Sequence, residues 1–137
     1  MEDFVRYKSG YLYQTVADYI VDVSIFPKKA IETYFLSLTE DGLLKIKRGY
    51  SWDGPSGPAI HTKNFIRGSL IHDALYQLIR LNKLSTNFRL NADKELQYAC
   101  KKDGMCSLRA WWVYKAVRLF AVSAASPENA KKVLKAP

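Results

Sequence analysis

The sequence predicts an α+β fold: a small N-terminal antiparallel β-sheet, then an antiparallel helix pair carrying a His-Asp step and a second Asp, with a third helix packed behind. Three observations predict it. Apolar residues alternate with polar ones in the first third of the chain, Gly and Pro crowd into one short stretch, and apolar residues afterwards recur at three- and four-residue spacing. A chain of 137 residues is expected to make a single domain, β-rich over 1–50, with a site loop 51–64, helices over 65–126 and a flexible basic tail 127–137.

The elements follow in order. Tyr13, Thr15, Ala17, Tyr19, Val21, Val23 and Ile25 occupy alternate positions, the period of a strand, and Phe26-Pro27-Lys28-Lys29 ends it. Ile31–Leu38 and Leu43–Tyr50 are rich in β-branched and aromatic residues. Between them Asp41-Gly42 predicts a hairpin, because glycine takes the positive φ that such a turn requires. Gly54, Pro55, Gly57 and Pro58 then exclude helix and central strand alike, so Ser51–Thr62 is a loop leading to Asn64 as helix cap. Ile66, Leu70, Ile71, Ala74, Leu75, Leu78 and Ile79 give a broad apolar face to a helix over Phe65–Leu81. A connector, Lys83–Asn87, leads to a helix over Phe88–Lys102, stopped by Asp103-Gly104 with glycine as a left-handed cap. Ser107 opens a third helix to about Val122, and Pro127 can restart a short last one.

Composition narrows the class. Hydrophobic residues at 48% and charged residues at 25% suit a soluble globular chain, and no apolar run approaches the roughly 18–20 residues that span a bilayer. The acidic start Met1-Glu2-Asp3-Phe4 is unlike a signal peptide, so a cytosolic beginning is expected. Charge is uneven: residues 1–62 carry a net −1 and residues 63–137 a net +9. The basic half suits an anionic partner such as a lipid headgroup, although a solvated surface explains it equally well, and no specific nucleic-acid motif is present. Cys100 and Cys106 lack zinc spacing and are expected to be small buried apolar residues. Trp111-Trp112 can be a membrane-interface contact or a core side chain covered by its neighbour; the second is the expectation.

One constellation carries chemistry. His72 and Tyr76 share a helix face, as do Arg89 and Asp93 on the next helix. Asp93 follows His72 by 21 residues, which allows the two to face each other across an antiparallel pair. A carboxylate there would keep one imidazole nitrogen protonated and leave the other to accept a proton from water. Asp73 points roughly 100° away round the helix and serves another neighbour, for which Asp53 and the loop carbonyls are candidates. Two carboxylates plus backbone oxygens make a hard-oxygen site suited to Ca2+. Each feature also has a plain reading. His72 can be a core histidine satisfied by Asp93, Asp53 a turn residue bonding its own backbone, and Arg89 with Asp93 a simple helix ion pair. His61 in the loop leaves a weaker option, a metal-dependent phosphohydrolase.

Asp53-Gly54, Ser56, Pro58, Phe65, His72-Asp73, Tyr76, Arg89, Asp93 and Leu96 together resemble the active-site run of the prokaryotic and fungal secreted phospholipase A2 group. That likeness covers about residues 51–100. The same run, with Arg109, Trp112 and Ala116-Val117-Arg118-Leu119-Phe120, resembles a family of uncharacterised tailed-bacteriophage proteins over about residues 30–122. The first resemblance implies a calcium-dependent ester hydrolase with His72 as general base, Asp93 orienting it, Tyr76 bonded to Asp93, and Asp53, Gly54 and Asp73 holding the metal. Arg89 and Ser56 would support the site. The second implies a phage protein in the infected host's cytoplasm or in the virion, where it would associate with other virion proteins. As an alternative to hydrolysis, the His/Asp network would be the structural core of a non-catalytic virion or host-interaction protein. Pro55 stands where those phospholipases carry a disulfide cysteine, and the N-terminal sheet has no counterpart in them.

Overall fold

The computed structural model describes residues 7–8, 13–53 and 62–120. The chain is α+β, with antiparallel sheets followed by three helices. Its described residues divide into two compact units, one holding 7–8 and 13–53 and the other 62–120.

The first unit holds two small antiparallel sheets. In one, β2 (Tyr13–Thr15) lies between β1 (Tyr7–Lys8) and β7 (Ser51–Trp52), with Tyr13 opposite Trp52. Those two rings stack at 5.3 Å. The other sheet has the order β3-β6-β5-β4, formed by Tyr19–Asp22, Leu43–Ile46, Leu36–Leu38 and Ile31–Glu32. Leu38 faces Leu44 and Leu36 faces Ile46 across β5 and β6, and all four side chains are buried. The hairpin turns at Gly42, whose φ of +87° is open to glycine without strain. A Cβ at Gly42 would also strike the Val23 carbonyl oxygen.

The expected strand from Tyr13 to Ile25 is broken. β2 and β3 belong to different sheets, separated by a bend at Val16–Ala17. Buried Thr15 explains the break. Its hydroxyl donates to the Lys47 carbonyl at 2.9 Å and accepts from the Tyr50 N–H at 3.1 Å, fixing β2 to the turn after β6. Asp18 then accepts from the Arg48 N–H at 2.8 Å, which starts β3 on a new line. The segment Ile31–Leu38 is likewise two strands, because Thr33 closes a turn by accepting from the Leu36 N–H at 3.0 Å. The predicted loop also begins later than expected, since Ser51-Trp52 is paired as β7.

In the second unit, α1 runs Lys63–Arg80, α2 Arg89–Lys102 and α3 Ser107–Phe120. Thr62, not Asn64, is the N-cap of α1, in extended conformation with its hydroxyl on Asn64 Oδ1 at 2.5 Å. α1 ends where Asn82 turns to φ +59°, and a single 3-10 turn, Thr86–Phe88, leads into α2 with Ser85 accepting from the Asn87 N–H. Gly104, at φ +101°, stops α2 while Met105 N–H reaches back to the Cys100 carbonyl at 2.9 Å.

Gly68 sets how closely α1 and α2 approach. A Cβ there would sit 2.9 Å from Cys100 Sγ and 3.0 Å from Leu96 Cδ1. Phe65, Leu96, Cys100, Met105 and Ala110 form the adjoining core, with Val113 and Val117 of α3 packed on it. Arg67 on α1 pairs with Asp103 past the end of α2 at 2.9 Å. Cys106 departs from its expected burial: it stands exposed in the connector before α3, where its carbonyl accepts from the Ala110 N–H. Pro127 and the tail lie outside the described residues.

Candidate functional site

Asp93 is the centre of the site. It sits in the second turn of α2, on the face that carries Ala92 and Leu96 into the helix pair, and its side chain is fully buried. An isolated carboxylate in that position would be driven to take up a proton. Three donors prevent it. His72 Nε2 lies 2.7 Å and Tyr76 Oη 2.6 Å from Oδ1, while Arg118 Nη1 lies 2.9 Å from Oδ2. Burial pushes the carboxyl pKa up, but the bonds from His72, Tyr76 and Arg118 outweigh it and hold the group below its ordinary range.

That ionised state fixes the neighbours. A carboxylate only accepts, so the proton between it and the imidazole belongs to Nε2; the tautomer that this selects has its lone pair on Nδ1. No described residue is hydrogen-bonded to Nδ1. The imidazole is only slightly exposed and lies against the Tyr76 ring, 4.1 Å between centroids. Burial and the Asp93 carboxylate both raise the Tyr76 pKa, so the phenol remains a donor at any working pH.

α1 supplies His72 and Tyr76 from successive turns of one face, and α2 supplies Asp93 from the facing helix. Arg118 comes from α3 and is not among the residues the helix spacing points to. Its signal in sequence is faint: a basic side chain near the end of a helix whose other inward positions, Ala110, Val113 and Val117, are apolar. The simple ion pair between Arg89 and Asp93 is not formed; Asp93 takes Arg118 instead. Arg89 Nη1 is buried and has no hydrogen-bond partner among the described residues.

Asp73 is partly buried with Arg80 Nη2 at 3.9 Å from Oδ1, and Arg80 also donates twice to Gln77 Oε1. Asp53 is exposed just after β7, and Gly54, Ser56 and His61 lie outside the described residues. Asp73 is a suitable oxygen donor for a hard cation, but among the described residues no three His, Cys, Asp or Glu side chains come together.

The tryptophans correct their expectation. Trp111 and Trp112 are both exposed, since Ala110, Val113 and Val117 claim the inner face of α3. Among the described residues no helix is long and apolar enough to cross a membrane.

Comparison with protein-family models, curated proteins and solved structures finds no match.

Proposed function

We propose that this chain is a hydrolase of phospholipase A2-like type, in which His72 activates water for direct attack on a lipid ester. One observation carries the reading: an imidazole whose Nε2 lies 2.7 Å from the carboxylate of the fully buried Asp93, with no described residue bonded to Nδ1. Nδ1 takes the water proton as the oxygen attacks the carbonyl carbon. The imidazolium formed is stabilised by Asp93, and the proton passes on to the departing alkoxide. Tyr76 and Arg118 keep the carboxylate in place and charged throughout. No covalent enzyme intermediate is required. Calcium belongs to the proposal: bound through Asp73, Asp53 and oxygens near Gly54, it would polarise the ester carbonyl. Phage origin, and with it action in the infected host or the virion, is supported by the sequence resemblance alone.

The test is fatty-acid release from phospholipid vesicles with and without calcium, for the native chain and His72→Asn. A general base contributes about 10²–10⁴ in rate, so release should fall by that factor while the circular dichroism spectrum shows the variant still folded. Equal release from both proteins would defeat the reading.

A second reading has an observation of its own. Both oxygens of Asp93 accept hydrogen bonds, from three donors in all, and its charge is matched by Arg118, which is also what a purely structural polar core requires. The chain would then be a non-catalytic virion or host-interaction protein. Hydrolysis absent at every calcium concentration, with His72→Asn lowering Tm, is its expected signature.

A further inference from the structure

α3 is apolar on two opposite sides. Ala110, Val113 and Val117 face the core between α1 and α2. On the other side Leu108, Trp111, Trp112, Lys115 and Leu119 fall at steps of three and four residues, so they form one stripe along the helix. The four apolar members are 69%, 47%, 64% and 72% exposed. A helix buried on one side normally turns polar residues to the other. Large apolar side chains held in water at regular spacing mark a surface that meets something else.

The charge beside the stripe identifies what that is. α3 contains Arg109, Lys115 and Arg118 and no acidic residue. Arg118 is occupied at Asp93, but Lys115 lies within the stripe, its ammonium 5.6 Å from the Trp111 ring centre. The exposed Lys101 and Lys102 end the preceding helix. Indole rings are suited to the boundary between headgroups and acyl chains, and lysine among them favours anionic headgroups. A second copy of this chain would have to bring Lys115 against its own basic face, which counts against self-association.

We propose that the outer face of α3 docks the protein on an anionic lipid surface, the indoles and leucines entering the headgroup region and Lys115 pairing with lipid phosphates. The stripe does not depend on hydrolysis, because a lipid-docking protein without catalysis would carry the same surface. Such a helix lies in the plane of the interface, buried by about 5–10 Å, and does not cross it. Arg118 ties α3 to Asp93 from the flank of this helix, so docking through the outer face leaves the His72 network intact.

Flotation with vesicles of phosphatidylglycerol mixed equally with phosphatidylcholine tests this, against vesicles of phosphatidylcholine alone. The native chain should float with the anionic vesicles and do so less as salt rises. Trp111→Ser with Trp112→Ser should weaken binding on the order of tenfold or more, and Lys115→Gln by about fivefold, on anionic vesicles only. All these positions are exposed, so the variants should keep the native Tm. His72→Asn should float like the native chain, which separates docking from hydrolysis. A native chain that stays with the buffer, or variants that float as well as it does, would overturn the proposal. So would a dimer seen by analytical ultracentrifugation that the tryptophan variant dissolves, since the stripe would then belong to a second copy.

Discussion

Asp18 in the sheet unit and Asp93 in the helical unit are both carboxylates with several partners, one in water and one out of it. Asp18 accepts from the Arg48 N–H at 2.8 Å and has Lys45 at 3.9 Å, with half of its side chain exposed. Asp93 accepts from His72, Tyr76 and Arg118 with none of its side chain exposed. Asp18 can exchange any partner for water, so its bonds shape a turn and little more. Asp93 has no such substitute. The donors around it together hold the charge against burial, and the charge in turn orients the imidazole. Burial, more than the number of contacts, separates a carboxylate that shapes a turn from one whose charge depends on its neighbours.

Several measurements would break or sharpen that contrast. Asp93→Ala should have the largest effect, because it leaves the Tyr76 hydroxyl without its acceptor in the core and takes the counter-charge from Arg118; a loss of about 3–5 kcal/mol in denaturant unfolding is expected. Gly68→Ala comes next. The new methyl group must push Leu96 and Cys100 aside where α1 meets α2, so about 1–3 kcal/mol should be lost, with Asp93 displaced from His72. Because Asp93 has a lowered pKa in the folded chain, its stabilisation is full above the ordinary carboxylate value of about 3.9 and disappears as pH falls through the lower folded value. Asp93→Asn should therefore flatten the acid limb of a stability–pH profile. Asp18→Ala should cost only about 1 kcal/mol or less, and should leave the acid limb as it was. The two cysteines offer a comparison with almost no energetic cost. Burial, with help from Asp103, pushes the Cys100 thiol up to about 12, whereas Cys106 is exposed; a thiol reagent should label one cysteine per native chain and two in denaturant.

Much of this architecture was legible because it is local. The period of α1, the glycine turns at Gly42 and Gly104, and the placing of His72 and Tyr76 on one face all follow from spacing within a single element. The interval from His72 to Asp93 reaches further, yet a short connector between antiparallel helices leaves few registers to choose from. Three features were not legible. The break after Thr15 depends on a turn more than thirty residues away. Arg118 reaches Asp93 only because α3 returns along α2, and the exposure of Trp111 and Trp112 depends on which side of α3 the core takes.

By itself the sequence determined which residues share a helix face and where the second helix must stop, because those follow from backbone geometry and from the conformations open to glycine. Only the tertiary structure decided what each face would meet. It gave Asp93 a third donor from α3, left Arg89 Nη1 without a hydrogen-bond partner among the described residues, and turned two indoles to the solvent. The physical reason is that a helix with two apolar sides can bury only one of them against a single neighbour. The close approach at Gly68 and the volumes of Phe65, Leu96 and Cys100, not any local preference of α3, made that choice.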